Sequence, residues 1–187
     1  MKVKEVFCSL QGEGANAGRA AVFVRFAGCN LSCEWCDTDW SGGKEMSEEE
    51  VIAEVRRTGV KFVVLTGGEP SLQLTDGLVE GLHRVGCEVA VETNGTRALP
   101  AGVDWVTCSP KVGADVVLQR VDEVKVVYVG QDVERYREIE AEHYFLQPCE
   151  RRVNGELVMN AAEVVEYCLK HPWWRLSVQL HKVLGIK

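Results

Sequence analysis

The chain has 187 residues, of which 46% are hydrophobic and 26% are charged, and its formal net charge is −7. This composition is typical of a globular protein in water, and the length suffices for one buried core, so we expect a single domain over residues 1–187. The negative charge, with no basic run to offset it, argues against a nucleic-acid partner and favours a small-molecule substrate.

Targeting signals are missing from the sequence. The amino-terminal segment has no apolar stretch of the signal-peptide kind, and no apolar run approaches the roughly 18 residues of a membrane helix. We therefore expect a cytoplasmic protein without a membrane partner. Its eight cysteines are then better interpreted as reduced thiols or metal ligands than as disulfides.

Apolar, β-rich runs recur along the chain, and segments with helical spacing lie between some of them. The predicted strands cover residues 20–28, 61–68, 88–95, 104–111, 123–130 and 143–148, and a further run at 175–182 predicts an extra strand. The predicted helices cover 47–58, 74–84, 133–142 and 161–170. The first helix has a capping box of Ser47 and Glu50, and Gly59 ends it.

Strands that alternate with helices predict parallel pairing with crossover helices. The segment 92–123 has turn-rich motifs and little helical signal, so we expect helices to be missing there. The predicted fold is therefore α/β: a partial, trimmed (β/α)6 barrel with reduced helices and an extra carboxyl-terminal strand. Its active site should lie at the carboxyl ends of the strands, where the motifs GGEP, ETNG, SPK and QP follow apolar runs.

Three cysteines, Cys29, Cys33 and Cys36, lie within eight residues at C-x3-C-x2-C spacing. A [4Fe-4S] cluster usually takes four cysteines, so three leave one iron open to the amino and carboxylate groups of a cofactor. The alternative is a zinc site completed by a distant histidine, although such sites normally come as two pairs of ligands. Cys108 and Cys149 lie beside SPK and QP, where they either fill the core or line the pocket.

The GGEP motif and Arg25 also stand out from their surroundings. Gly67 and Gly68 offer bare backbone to a ligand, and Glu69 beside them could accept a hydrogen bond from an ammonium group. Arg25 interrupts the apolar run VFVRF, where an unpaired charge is costly. We expect Arg25 either to clamp a substrate carboxylate or to form a structural salt bridge, with Glu13 as a candidate partner.

These motifs resemble the radical S-adenosylmethionine (SAM) superfamily and, within it, the 7-carboxy-7-deazaguanine synthases of queuosine and deazapurine biosynthesis. The resemblance implies that a reduced [4Fe-4S] cluster cleaves SAM to a 5′-deoxyadenosyl radical, which abstracts hydrogen from 6-carboxy-5,6,7,8-tetrahydropterin. Ring contraction with loss of ammonia then gives 7-carboxy-7-deazaguanine. The resemblance spans nearly the whole chain, in SLQGEG (9–14), FVRFAGCNLSCEWCDT (23–38), LTGGEP (65–70), ETNG (92–95), SPK (109–111) and QLHK (179–182).

The resemblance also implies roles for single residues. Cys29, Cys33 and Cys36 would hold the cluster, and Thr38 would bind a Mg²⁺ ion that helps hold the substrate carboxylate. The residues implied to bind SAM are Gly67, Gly68, Glu69, Glu92, Thr93, Asn94, Ser109 and Lys111. Those implied to bind the substrate are Gln11, Glu13, Gly14, Arg25 and His181.

The partners implied are an electron donor such as flavodoxin or ferredoxin and a second copy of the chain. A homodimer is expected because a reduced barrel leaves apolar edges uncovered. Two other functions stay open. A radical SAM activase, which installs a glycyl radical on a partner protein, shares the cysteine spacing, and a zinc-stabilised binding module would use the cysteines for folding.

Overall fold

The structure is a computed structural model that describes residues 1–153 and 156–187. The described strands are β1 (Lys2–Leu10), β2 (Ala20–Phe26), β3 (Lys44–Glu45), β4 (Phe62–Gly67), β5 (Glu88–Thr93), β6 (Trp105–Cys108), β7 (Glu123–Tyr128), β8 (His143–Pro148), β9 (Glu150–Val153), β10 (Glu156–Met159) and β11 (Arg175–Leu176). The helices are α1 (Glu48–Thr58), α2 (Asp76–Arg84), α3 (Ala161–Lys170) and α4 (Leu180–Leu184). Short 3-10 helices lie at Pro70–Leu72 and Glu134–Glu138.

Nine strands form one sheet in the order β11-β8-β7-β6-β5-β4-β2-β1-β3. The strands from β2 to β8 along this sheet are parallel to their neighbours, and β1 is antiparallel to β2. This confirms the six predicted strands, their parallel pairing and the α/β class. Within the described residues no pairing joins β11 to β3, so the barrel stays open, as expected for a partial barrel.

The helices follow the prediction over most of the chain. In α1 the Ser47 hydroxyl accepts from the Glu50 N–H at 3.2 Å, the Glu50 carboxylate accepts from the Ser47 N–H at 2.8 Å, and Gly59 ends the helix with a φ of 75°. The helices α2 and α3 also lie where spacing placed them. The segment between β5 and β7, all of it described, contains no helix, as predicted.

Two predicted elements are shorter than expected, although β11 confirms the extra carboxyl-terminal strand. The helix predicted over 133–142 is only the 3-10 turn Glu134–Glu138, because the next residues are drawn into a bridge in which the Glu140 N–H donates to the Gln119 carbonyl at 2.9 Å. The strand predicted over 175–182 ends after Leu176, since the Leu180 N–H turns away from the sheet to bond the Gly12 carbonyl at 3.0 Å. The prediction also missed β1, whose sequence KVKEVFCSL mixes polar and apolar residues without a clean period.

The core explains why the parallel strands read as continuous apolar runs. Alternate side chains of β4 are buried on opposite faces of the sheet, with Leu65 in the cluster that includes α1 and α2 residues and Val64 in a second cluster with Phe23. A third cluster surrounds Trp174 and covers the β7 and β8 half of the sheet. Burial on both faces fixes the strands rigidly, so the loops at their carboxyl ends start from defined positions. Across the described residues, no helix has the length and apolar character needed to cross a membrane.

Candidate active site

A cavity of about 910 Å³ lies at the carboxyl ends of the parallel strands, a size suited to small organic ligands. Gly14 and Glu69 are not among its lining residues. All other residues that the resemblance implies to bind the cluster, SAM, Mg²⁺ or the substrate line it: Gln11, Glu13, Arg25, Cys29, Cys33, Cys36, Thr38, Gly67, Gly68, Glu92, Thr93, Asn94, Ser109, Lys111 and His181. Residues from several strand ends, from the loops that follow them and from α4 thus meet in one cavity.

The cysteine loop begins where β2 ends. Gly28 turns the chain with a φ of 88°, a conformation that favours glycine, and its N–H donates to the Trp40 carbonyl at 3.0 Å, which ties the two ends of the loop together. Within the loop the Cys36 N–H donates to the Cys33 carbonyl at 3.2 Å. The loop is therefore closed on itself, with its thiols on the cavity wall.

The three thiols suit a cluster better than a single ion. Burial raises the pKa of the Cys33 thiol, the Lys111 ammonium opposes this, and the nearby Cys29 and Cys36 raise it further. All three are free thiols. Among the described residues, no three His, Cys, Asp or Glu side chains are placed to hold one metal ion. A [4Fe-4S] cluster binds each thiolate through a different iron, whereas one zinc ion needs its ligands to converge. The donor set fits the cluster.

The GGEP turn is joined directly to the start of this loop. The Gly68 N–H donates to the Phe26 carbonyl at 3.0 Å, and the Glu69 N–H donates to the Gly28 carbonyl at 2.9 Å. A Cβ on Gly68 would collide with the Gly28 carbonyl oxygen. Glycine is thus required here for the close approach of two backbones, and this approach fixes the turn relative to the cysteines.

Glu69 joins two motifs beneath the cavity. Its side chain is 1% exposed, and it accepts from the Thr93 hydroxyl and the Asn94 N–H, both at 2.7 Å, and from the Ser71 N–H at 3.0 Å. The carboxylate therefore holds the GGEP and ETNG turns together. Its predicted contact with the SAM ammonium stays a prediction, because the cavity wall does not include this residue.

The SPK motif places a cation beside the thiols. The Lys111 ammonium donates to the Ser109 hydroxyl at 2.6 Å, and the Ser109 N–H donates to the Thr93 carbonyl at 2.7 Å. Burial lowers the pKa of Lys111, while the Cys33 thiol acts in the opposite direction. Asn94 of the neighbouring ETNG turn donates to the Asn30 side chain at 3.0 Å, so the ETNG turn also supports the cysteine loop.

The other end of the cavity carries a network of carboxylates and amides around one buried ammonium. Lys125 is 4% exposed and donates to Glu13 and, at 3.2 Å, to Glu92. Gln179 also donates to Glu13, at 2.8 Å, and Gln11 donates to Glu92 at 3.0 Å. Burial raises the pKa of the Glu13 carboxyl, but the charge and hydrogen bond of Lys125 outweigh burial and hold this pKa well below its usual value.

Sequence reasoning missed Lys125. The signal was present, since Lys125 interrupts the apolar strand EVKVVY in the same way that Arg25 interrupts VFVRF. An inward charge in a buried strand needs a partner. The partners come from a loop and a strand far away in sequence, so spacing alone could not reveal them.

Arg25 does form a salt bridge, but not with Glu13. Its Nε donates to Glu5 at 3.0 Å, because the antiparallel register of β1 and β2 places Glu5 opposite Arg25. Glu13 lies beyond the end of β1 and turns towards Lys125 instead. Arg25 still lines the cavity, so a carboxylate clamp stays a prediction for it.

Of the remaining predicted residues, His181 and Thr38 line the cavity and Gly14 does not. His181 in α4 lies so close to the loop after β1 that a Cβ on Gly12 would be 2.6 Å from its Nδ1. Gly14 adopts a φ of 66° and donates its N–H to Ser177 at 3.0 Å, so it shapes the loop from outside. The Thr38 carbonyl accepts from the Cys36 thiol at 3.6 Å, which keeps Thr38 next to the cysteines.

The two cysteines near SPK and QP take different places. Cys149 is buried and lines the cavity. Cys108 is fully buried outside the cavity wall, its sulfur would be 2.6 Å from a Cβ on Gly95, and burial raises the pKa of its thiol to about 12. Cys108 is therefore a neutral core residue.

The Gly68 contact gives a direct test of this architecture. We expect Gly68→Ala to lower the free energy of unfolding by about 1–3 kcal/mol, because the added methyl must push the turn away from the Gly28 backbone. Urea unfolding followed by circular dichroism measures this. In the control, Gly77→Ala, the methyl meets only the flexible Glu48 carboxylate and should be neutral or stabilising. Equal stability of Gly68→Ala and the wild type would contradict the contact.

Comparison with known proteins agrees with this geometry. A model of the radical SAM superfamily matches residues 23–166. The chain is 51% identical over 186 residues to the 7-carboxy-7-deazaguanine synthase of Bacteroides thetaiotaomicron, covering 100% of this chain and 98% of that protein. It is 45% identical over 209 residues to the synthase of Bradyrhizobium diazoefficiens, covering 99% and 98%.

The fold is also similar to a solved one. The crystal structure of QueE from Escherichia coli matches with a TM-score of 0.78 and 31% identity, covering 96% of this chain and 94% of that one. The sequence match thus covers the whole chain, and the structural match covers nearly all of it. The chain therefore belongs to the radical SAM superfamily and, within it, to the family of the 7-carboxy-7-deazaguanine synthases.

Proposed function

We propose that this protein converts 6-carboxy-5,6,7,8-tetrahydropterin to 7-carboxy-7-deazaguanine with release of ammonia. The observation that carries the proposal is a single cavity with two chemically distinct ends. One end has three thiols and Lys111, and the other has acceptor-rich carboxylates and amides held by Lys125. The full-length relatives that carry the synthase name support the same reaction. Membership in this family of enzymes argues against the alternative of a zinc-stabilised binding module.

Membership in the superfamily implies a [4Fe-4S] cluster and SAM as cofactors. When bound, they supply the one-electron chemistry that abstracts hydrogen from the substrate. Cys29, Cys33 and Cys36 would hold the cluster. The backbone of Gly67 and Gly68 and the polar groups of Thr93, Asn94, Ser109 and Lys111 would lie along SAM, since they line the wall between the thiols and the carboxylates.

The opposite end would bind and orient the pterin. Carboxylates accept hydrogen bonds only, so Glu13 and Glu92 suit the amino group and ring N–H of a 2-amino-4-oxopyrimidine. Arg25 keeps donors besides the Nε used by Glu5 and would pair with the substrate carboxylate. His181 and Gln179, from α4 and the residue before it, would close this end and exclude water.

The test is an anaerobic assay of reconstituted protein with SAM, Mg²⁺, tetrahydropterin and dithionite, which stands in for a flavodoxin or ferredoxin. We expect 5′-deoxyadenosine and 7-carboxy-7-deazaguanine by mass spectrometry. Cys36→Ser should lose the visible absorbance of the cluster, its roughly four irons per chain and both products, because a serine hydroxyl is a poor iron ligand.

Cys8→Ser is the matched control, since Cys8 is also exposed but lies on β1 outside the cavity wall. It should keep iron and activity. SAM cleavage by the wild type without change of the pterin would contradict the proposed substrate and would favour the activase alternative.

We also propose that Thr38 binds Mg²⁺ together with the substrate carboxylate. Its place beside the last cysteine and on the cavity wall supports this role, and Mg²⁺ prefers oxygen ligands. Thr38→Ala should raise the Mg²⁺ concentration that gives half-maximal activity by about tenfold or more. Ser32→Ala, an exposed hydroxyl of the same loop, should leave it unchanged. A Mg²⁺ requirement equal in Thr38→Ala and the wild type would remove Thr38 from the site.

A homodimer is the state we propose in solution. Large apolar side chains are exposed close together in sequence near the carboxyl terminus, which is the pattern of a surface that a second copy covers. Sedimentation equilibrium should give twice the mass of one chain. A mass of 20.8 kDa at micromolar concentration would refute the dimer. The exposed apolar side chains near the carboxyl terminus are Leu176, Val178, Val183, Leu184 and Ile186.

A further inference from the structure

The ammonium of Lys125 lies among three carboxylates that come from different parts of the chain. It donates to Glu13 in the loop after β1 and to Glu92 near the end of β5, and Glu123 lies two residues before it on the same face of β7. Lys125 is 4% exposed and Glu123 is 2% exposed. Three acids and one base at this depth form a costly arrangement, which stability alone does not require.

Glu123 fixes the loop that carries Glu13. It accepts from the Ala15 N–H at 2.7 Å, and a Cβ on Gly14 would collide with its carboxylate. The loop between β1 and β2 is therefore held against β7 on both sides of Gly14. This leaves Lys125 in one defined place relative to the Glu13 side chain.

Both carboxylates that Lys125 contacts keep acceptor capacity. Glu13 accepts from Lys125, from Gln179 at 2.8 Å and from Gln147 at 3.2 Å. Glu92 accepts from Lys125 at 3.2 Å and from Gln11 at 3.0 Å, and its other oxygen accepts from Thr66 at 3.2 Å. A carboxylate has about four acceptor positions, so each retains about one, and both residues line the cavity.

We propose that Lys125 is a positioning residue that sets substrate specificity by holding Glu13 and Glu92 as oriented, ionised acceptors for the donor edge of the pterin ring. This inference rests on the proposed function. In this arrangement the 2-amino group and the neighbouring ring N–H donate to the two carboxylates. A pteridine-2,4-dione with the same 6-carboxylate presents a carbonyl instead of the amino group, and its oxygen would face the Glu13 or Glu92 oxygen without a proton between them.

The other charged groups around Glu13 support the same state. Lys125 opposes the effect of burial on the Glu13 pKa, and a protonated His181 in α4 acts in the same direction as Lys125. Glu123 and Lys111 also face this network, from β7 and from the loop after β6. Of these groups, only Lys125 bonds to Glu13 and Glu92 together.

The test replaces Lys125 with methionine, which has a similar length and no charge. Reconstituted enzyme is titrated with 6-carboxy-5,6,7,8-tetrahydropterin by calorimetry in the presence of SAM and without reductant, so that no turnover occurs. We expect Lys125→Met to weaken binding roughly 10- to 100-fold at pH 7, the range for lost hydrogen bonds to charged groups. In turnover assays KM should rise more than kcat falls.

The pH profile separates positioning from a general structural defect. Without Lys125, burial raises the pKa of Glu13, so below that pKa the carboxyl is protonated and loses the charged acceptor that the pterin N–H groups need. The binding deficit of Lys125→Met should therefore shrink as the pH rises from 6 to 9. Lys125→Arg, which keeps the charge, should recover part of the affinity and the wild-type pH profile.

A second variant guards against misfolding. Lys125→Met/Glu92→Gln removes one negative charge together with the positive one, and circular dichroism should show a folded protein. Its binding deficit should be smaller than the product of the two single deficits, because both substitutions disrupt one interaction. Discrimination against the 6-carboxylated pteridine-2,4-dione should fall in every variant that lacks the Lys125 charge.

The outcomes separate the two proposals. If the wild type does not convert the tetrahydropterin, the proposed function fails. If the wild type converts it and Lys125→Met keeps the wild-type affinity, pH profile and discrimination, only the role of Lys125 is overturned. The role of Lys125 would also be overturned if the binding deficit of the double variant equalled the product of the two single deficits, since Lys125 would then act independently of Glu92.

Discussion

Parallel pairing of the strands from β2 to β8 brings the carboxyl end of each strand to the same edge of the sheet. The cysteine loop and the motifs GGEP, ETNG, SPK and QP each lie at one of these strand ends, so a single architectural constraint collects groups that lie more than 100 residues apart in sequence. Both faces of the strands are buried, which leaves the strand ends as the place where polar groups can gather. The positions of the site residues are therefore set first by this edge of the sheet.

Backbone contacts then set the positions along the edge. The Gly68 turn lies directly against Gly28, and Glu69 ties this turn to Thr93 and Asn94. Neither Glu69 nor the Gly68–Gly28 contact adds a reactive group to the cavity. They make the cysteine loop and the neighbouring turns one rigid unit, which suits an enzyme that must control a reactive radical by position and by exclusion of water.

The two cations of the cavity lie in different surroundings. Lys111 lies next to the Cys33 thiol, where burial lowers its pKa, whereas Lys125 lies among carboxylates that raise its pKa above the ordinary value against the effect of burial. Two lysines that line one cavity therefore have pKa values shifted in opposite directions. A site divided in this way can hold a cofactor at one end and a neutral ring with hydrogen-bond donors at the other. The proposed function gives substrate selection and radical chemistry to different side chains.

The sequence by itself determined the six parallel strands, the helices α1, α2 and α3 and the helix-free segment between β5 and β7, because these features depend on local periodicity, caps and turns. It also determined the cysteine spacing, and most of the site residues predicted from it line the cavity. Only the tertiary structure decided that Arg25 pairs with Glu5, that Glu69 lies beneath the cavity, that Lys125 joins Glu13 to Glu92 and that the chain leaves the sheet after Leu176. Each of these depends on strand register or on contacts between residues distant in sequence, for which local spacing carries no signal.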